Sequence, residues 1–171
     1  PGAALDPADG GWLTLPAAPA APGSHLGAVV GRPTLRGDYE VTTELAVERD
    51  VQAGLAAYGD GASAVGISVG GGVAAVFRLA NSASEVVAET SAPGGAQLRM
   101  TVANGHLFRF AIRAADGAAE WAPLGGIVDS EAGPDLPPWD SAVRAALFAI
   151  GPSGASARFA SFRMEQPARQ P

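Results

Sequence analysis

Apolar and polar residues alternate with a period of two in the clearest stretch of the chain, which starts at Tyr39. A period of two is typical of a β-strand that buries one face and exposes the other. The sequence therefore predicts a strand with one buried face and one solvent-exposed face. The buried face carries Val41, Thr43, Leu45 and Val47, and the exposed face carries Glu40, Thr42, Glu44, Ala46 and Glu48.

Further short apolar runs lie before and after this strand, and nearly every gap between them carries turn residues such as Asp60-Gly61, Asn81-Ser82 and Asn104-Gly105. The runs span residues 12–15, 26–30, 53–58, 64–69, 73–79, 85–90, 97–102, 106–113, 142–150 and 157–164. This spacing predicts an all-β domain of about ten to twelve strands in a two-sheet antiparallel sandwich. We expect a single domain over residues 1–171, with loose termini at 1–8 and 166–171. The predicted core comprises Val41, Leu45, Leu98, Met100, Phe108, Phe110, Leu147 and Phe159.

One hairpin can be aligned from its side chains. A three-residue loop over 103–105 places Leu98 opposite Phe110 and leaves one face of the hairpin apolar, whereas a two-residue loop mixes charged and apolar residues on each face. The same alignment places Arg99 opposite Arg109. This like-charge pair needs acids, a ligand or a neighbouring domain against it.

Composition narrows the possible functions. The chain has 171 residues, 47% of them hydrophobic, with no cysteine, 11 basic and 17 acidic side chains, a net charge of −6 and a pI near 4.8. The absence of cysteine excludes disulfides, thiolate zinc sites and thiol nucleophiles, and leaves the compartment undetermined. A negative chain with scattered arginines does not predict a nucleic-acid partner, and no apolar run is long enough to predict a membrane helix. Pro1 in place of an initiator methionine suggests a processed chain or part of a longer one.

Glu40, Glu44 and Glu48 invite comparison with glycosidases, which need two carboxylates facing one another across a sugar bond. The E-x-D-x-x-E pattern of jelly-roll β-glucanases begins at Glu48 but fails at Ala53. We therefore predict no catalytic residue, and interpret these glutamates as a solvated outer face. Contact with another domain is the alternative to solvation.

Other candidate residues have ordinary structural interpretations. His25 and His106 are too few for a histidine metal site, so no metal and no cofactor are predicted. The segment from Gly66 to Gly70 matches Gly-x-Ser-x-Gly around Ser68, but a nucleophile elbow needs a following helix that the sequence does not predict. The three glycines from Gly70 to Gly72 predict a tight hairpin.

Trp139 and Asp140 form the strongest candidate contact site. Sugar rings bind on exposed aromatic faces beside polar groups, and Trp139 precedes an acid on a loop stiffened by Pro137 and Pro138. We expect this loop to contact either carbohydrate or a catalytic domain. The alternative is that Trp139 folds back and caps the core.

Several short segments of the chain carry a recognisable pattern. They span residues 9–15, 31–34, 37–41, 52–55 with Tyr58, 98–102, 108–110, 116–117 with Trp121, 124–125, 157–159 and 162–163. In this order they resemble the concanavalin A-like β-sandwich at the C-terminus of family 43 glycoside hydrolases, which include β-xylosidases and arabinofuranosidases. The resemblance covers residues 9–165 and implies a jelly-roll topology.

The resemblance implies a non-catalytic partner that packs against a separate catalytic propeller carrying the acids. Relatives often end with Phe-Asp-x-Phe, but Phe159-Ala160-Ser161-Phe162 lacks the aspartate, so no cation is expected there. The favoured function is an accessory or carbohydrate-contacting module associated with a glycoside hydrolase. The alternatives are a free-standing glycan-active enzyme with an unrecognised site and a purely structural interaction module.

Overall fold

The computed structural model of the chain describes residues 3–6, 11–34, 37–132 and 143–166, which form strands and turns and no helix. The prediction of an all-β protein is confirmed. The strands are β1 (Ala4–Asp6), β2 (Trp12–Pro16), β3 (Ala28–Pro33), β4 (Tyr39–Val47), β5 (Gln52–Asp60), β6 (Ser63–Gly70), β7 (Val73–Ala80), β8 (Ala83–Ser91), β9 (Ala96–Ala103), β10 (Leu107–Ala114), β11 (Ala122–Asp129), β12 (Arg144–Ile150) and β13 (Ser156–Glu165).

Two antiparallel sheets make up the sandwich, as the sequence predicts. The larger sheet has seven strands in the order β1-β2-β13-β4-β9-β10-β11, and the smaller has five in the order β12-β5-β6-β7-β8. Strand β3 lies beside β12, where the backbone N–H of Thr34 donates to the carbonyl of Val143 at 3.2 Å. Strands distant in sequence, such as β4 and β13, are neighbours in space, as in a jelly roll.

The core is one apolar layer between the sheets. Every residue of the predicted core is at most 4% exposed, from Val41 and Met100 at 0% to Phe108 at 4%. Along β4 the burial alternates as the sequence predicts, with Glu40 and Glu44 on the outer side. The period-two pattern therefore assigned the faces of this strand correctly.

Two strands were not predicted. Strand β11 contains Pro123, Gly125 and Gly126, which break the alternation in sequence. It forms nonetheless because it is the edge strand of its sheet, where proline and irregular backbone are tolerated, and its ladder with β10 contains a bulge. Strand β1, which falls in the expected loose terminus, pairs with β2.

The predicted register of the β9–β10 hairpin is wrong by two residues. Phe110 lies opposite Met100 rather than Leu98, and the ladder closes where Leu107 meets Ala103. Asn104 and Gly105 both have positive φ, at 53° and 75°, and the three-residue loop spans 104–106, one residue later in the chain than expected.

A two-residue shift leaves every side chain of the hairpin on its predicted face. It does separate the two arginines that the predicted alignment placed opposite each other. Arg99 lies opposite Ala111, and Arg109 lies opposite Thr101. The like-charge pair is therefore absent from this ladder.

Gly66 in β6 provides a test of the packing. A Cβ at this position would lie 2.8 Å from Cζ of Phe77 and 2.9 Å from Cβ of Ala56, so Gly66→Ala should destabilise the fold by about 1–3 kcal/mol. Gly126→Ala is the matched control, because this strand glycine has no atom within 4 Å of the added Cβ, and its change should stay within about 0.5 kcal/mol. Urea unfolding of both variants measures the difference, and equal midpoints would refute this packing.

Candidate interaction surface

The outer face of the seven-stranded sheet is strongly charged. Because alternate residues of β4, β9, β10 and β13 fill the core, the intervening ones point outward, and many of them are ionic. The arginines on this face are Arg99, Arg109, Arg113, Arg158 and Arg163.

The centre of this face is a connected network around Trp121, the residue that precedes β11. The guanidinium carbons of Arg99 and Arg113 lie 4.6 and 4.4 Å from the centre of a Trp121 ring. The Nε atom of Arg113 donates to Oε1 of Gln97 at 2.8 Å, and Nε2 of Gln97 donates to Oε2 of Glu44 at 3.0 Å. We call these residues, Glu44, Gln97, Arg99, Arg113 and Trp121, the arginine–tryptophan patch.

The patch adjoins a groove of about 390 Å³ whose far end carries two carboxylates. Glu40 and Glu165 occupy opposite positions on β4 and β13. An arginine accompanies each of them: Nε of Arg99 lies 4.0 Å from Oε2 of Glu40, and Nε of Arg163 lies 3.7 Å from Oε1 of Glu165. Each carboxylate of this facing pair is therefore in ion-pair contact with an arginine.

The spacing of a catalytic pair is also missing among the glutamates of this segment, which are Glu40 and Glu44 of β4 and Glu48 directly after it. They lie four residues apart, which is about 13 Å along a strand, whereas glycosidase carboxylates lie about 5–9.5 Å apart. Glu44 accepts a hydrogen bond from Gln97, and Glu48 accepts one from Ser156 at 2.8 Å. These carboxylates act as hydrogen-bond acceptors on the sheet surface.

The second aromatic–guanidinium contact on this face is made by Trp12 of β2. The guanidinium carbon of Arg158 lies 4.8 Å from the centre of a Trp12 ring. Strand β2 lies on the opposite side of β4 and β9 from β11. Aromatic–arginine contacts therefore occur toward both edges of the seven-stranded sheet.

The histidines and Ser68 lie apart from the patch. The Nδ1 atom of His106 lies 2.9 Å from Oδ1 of Asp129, and this hydrogen bond is the main cause that lowers the pKa of Asp129 below its usual value. Ser68 lies within strand β6, and a glycine hairpin rather than a helix follows it, with positive φ at Gly71 and Gly72. Ser68 therefore does not have the geometry of a nucleophile elbow.

Trp139 and Asp140, the contact residues named from the sequence, lie outside the described residues. Sequence reasoning noted Trp121 only as part of the family resemblance and did not identify it as a site residue. One feature of the sequence could have identified Trp121 as a site residue. It follows the Asp116-Gly117 turn after a hairpin whose outward-facing residues include Gln97, Arg99 and Arg113.

Within the parts of the chain that the structure describes, no group of three or more His, Asp or Glu side chains could hold a metal ion. Over the same residues, no helix has the length and apolar character needed to cross a membrane.

No protein-family profile and no curated protein matches the chain, but solved structures share its fold. One is a family 43 glycoside hydrolase engineered to show endo-xylanase and exo-arabinofuranosidase activity, with 15% identity, a TM-score of 0.77, and coverage of 98% of this chain and 36% of that one. Another is a xylan β-1,4-xylosidase from Bacillus halodurans C-125, with 17% identity, a TM-score of 0.75, and coverage of 91% and 33%. A third is the carbohydrate-binding module CBM66 from Bacillus subtilis, with 15% identity and a TM-score of 0.61.

Each of the three matches covers nearly all of this chain, but the share of the matched protein that is covered differs. The chain spans about a third of the length of the two enzymes, whereas its match to the carbohydrate-binding module covers 96% of this chain and 91% of the module. The resemblance seen in the sequence is thus confirmed at the level of the fold. This chain has the β-sandwich that occurs in family 43 structures and in a carbohydrate-binding module.

A double-mutant cycle tests the patch. Arg113→Ala and Trp121→Ala should each destabilise the fold, with a coupling of about 0.5–1 kcal/mol between them, because the guanidinium interacts with the indole ring. Arg109→Ala is the control for the same cycle, since Arg109 is exposed on the same strand and lies opposite Thr101. Its coupling to Trp121 should be near zero. Equal couplings for the two arginines in urea unfolding would contradict the described contact.

Proposed function

We propose that this chain is a non-catalytic accessory module of a glycoside hydrolase and that the arginine–tryptophan patch is the surface that packs against the catalytic domain. The observation that carries the proposal is the network itself, in which Trp121 and Arg113 are held by their neighbours at half-buried positions on a sheet face that no strand of the described residues covers. Tryptophan and arginine are the residues most enriched in the energetic centres of protein interfaces.

The geometry favours a protein partner over a sugar at this patch. A sugar ring stacks its apolar face on an open aromatic face, but two guanidinium groups already lie against Trp121. The groove is lined by two arginines, Arg113 and Arg163, and by three glutamates, Glu40, Glu44 and Glu165. A lining that carries both signs of charge suits a polar protein surface of mixed charge.

The comparisons support association with an enzyme. In the family 43 structures, a fold like that of this chain occupies about a third of a longer polypeptide. Hydrogen bonds and stacking already order the side chains of the patch, so docking would cost little further conformational entropy. We also propose that Trp139 and Asp140 make a contact with carbohydrate or with the catalytic domain.

The isolated chain should hydrolyse no glycoside. The only carboxylate pair in the strand ladders of the described residues, Glu40 with Glu165, has an arginine beside each member. Release of nitrophenol from nitrophenyl xylosides and arabinofuranosides, and of reducing ends from β-glucan, measures this. Glu40→Gln and Glu165→Gln are the diagnostic variants. Turnover that either variant abolishes would replace the accessory proposal with the enzyme alternative.

Docking can be measured by hydrogen–deuterium exchange. The full-length product of the gene should contain a glycoside hydrolase domain, and β4, β9 and β10 should exchange more slowly in that product than in the 171-residue chain. Strands β6 and β7, on the other sheet, should exchange equally in both.

Substitutions test whether the arginine–tryptophan patch is the cause of the slower exchange. Trp121→Ala should remove the added protection of β9 and β10, while Arg78→Ala, an exposed arginine on the five-stranded sheet, should leave it unchanged. Loss of protection in Trp139→Ala would assign that residue to the same interface. A gene product without a glycoside hydrolase domain, or equal exchange of β9 in both proteins, would overturn the docking proposal.

A further inference from the structure

The outer face of the five-stranded sheet is not uniformly exposed. A second apolar cluster lies on it, and the chain covers one part of this face through Leu26, just before β3, and Val29, within β3. The cluster consists of Leu26, Ala56, Ala64, Phe77, Leu79 and Phe148. Where this cover ends, the sheet face forms the floor of a cleft.

The cleft has a volume of about 340 Å³. Ala75 and Phe77 of β7 contribute to its floor, Leu26 lines it on the side of the covering segment, and Val86 of β8 lines it beyond Phe77. The Phe77 ring is held in place, because it packs edge-on against Phe148 with ring centres 5.5 Å apart at 83°. Gly66 leaves room for this ring. Packing against Phe148 and above Gly66 therefore gives the cleft a rigid apolar floor.

Polar groups in the lining are few, and one of them, Ser68, is only 1% exposed beside Ala75. The Nε2 atom of Gln52 donates to Oγ of Ser68 at 2.9 Å, and Ser84 of β8 is a further hydroxyl in the lining. The Nε2 atom of His25, another lining residue, is buried and has no hydrogen-bond partner among the described residues. Amide, hydroxyl and imidazole groups can both donate and accept hydrogen bonds.

The lining formed by the described residues carries no carboxylate and no guanidinium. A charged ligand would lose its hydration here without gaining a partner ion, so the site suits a neutral molecule. A volume near the lower end of the usual 300–1,000 Å³ range, about one or two small rings, limits the size of that molecule. A neutral ring with an apolar face and a rim of hydroxyl groups fits both limits.

We propose that this cleft binds one neutral sugar ring of a glycan, with its C–H face toward Phe77 and Ala75 and its hydroxyl groups toward Gln52 and Ser84. The choice of a sugar among small neutral ligands rests on the proposed association with a glycoside hydrolase. The site itself lies on the sheet opposite to the arginine–tryptophan patch.

Nuclear magnetic resonance titration of the ¹⁵N-labelled chain tests the proposal. The probes are xylose, arabinose, glucose, xylotetraose, arabinotetraose and cellotetraose. At least one should shift the amide signals of Ser68, Ala75 and Phe77 in a saturable manner, while the signals of Arg99 and Arg113 stay unchanged.

Val86→Glu and Gln52→Ala should each weaken this binding by about tenfold, because the first places a charge in the cleft and the second removes a polar partner. Val87→Glu is the matched control, since Val87 is 42% exposed on the same strand and does not line the cleft. It should change affinity by less than about twofold. Unchanged thermal melting of Val86→Glu would exclude unfolding as the cause.

The possible failures are distinct. If none of the six probes shifts the cleft signals, or if binding is equal in Val86→Glu and Val87→Glu, the cleft does not bind sugar and the inference is overturned. Binding that instead shifts Arg99 and is lost in Trp121→Ala would also overturn it and would place carbohydrate on the other sheet. Neither result bears on the exchange measurement, which alone decides whether the patch docks a catalytic domain.

Discussion

The structure depends on a single apolar layer that holds two sheets together. Side chains on a strand alternate between two faces, so each residue committed to this layer also determines where its neighbours point. Leu98 and Met100 are buried at 0% exposure, and Gln97 and Arg99 are consequently turned outward. The composition of the outer surfaces thus follows from the packing of the core.

The two sheets contribute to this layer unequally. The seven-stranded sheet supplies large residues such as Phe108, Phe110 and Phe159, while the five-stranded sheet supplies many alanines, among them Ala53 and Ala145. Large side chains facing small ones fill the layer without voids. Small residues also occur on the outer side of the five-stranded sheet, where Gly66 leaves room for the Phe77 ring and Ala75 lines the cleft. We attribute the cleft to this excess of small residues.

The sequence was sufficient to predict the fold class, eight core residues and the faces of β4 and of the β9–β10 hairpin, because these follow from the alternation and spacing of apolar residues. It did not predict the register of the β9–β10 hairpin, since a shift of two residues preserves both faces and changes only which residues lie opposite each other. Strand β11 was missed because its Pro123 and paired glycines resemble a loop, and only its position at the edge of a sheet explains why it forms.

The candidate site shows the same limit. Gln97, Arg99, Arg113 and Trp121 come from three segments, and their meeting depends on the hairpin register and on the unpredicted strand β11. A single-sequence argument therefore favoured Trp139, whose acid neighbour and stiff backbone are visible without any pairing. A candidate site formed by residues adjacent in the chain can be recognised from the sequence. A network that spans several strands can be recognised only when the pairing of those strands is known.

The two outer surfaces are separated by the thickness of the sandwich, about 10 Å between sheets plus the side chains on either side. Sites separated by more than about 7–10 Å with no shared partner act nearly independently. A partner on the arginine–tryptophan patch would leave the cleft on the opposite sheet open, and a sugar in the cleft would not disturb the patch. The alternation that creates a single core therefore also gives this small domain two surfaces of different chemistry, one charged and suited to a protein, the other neutral and concave.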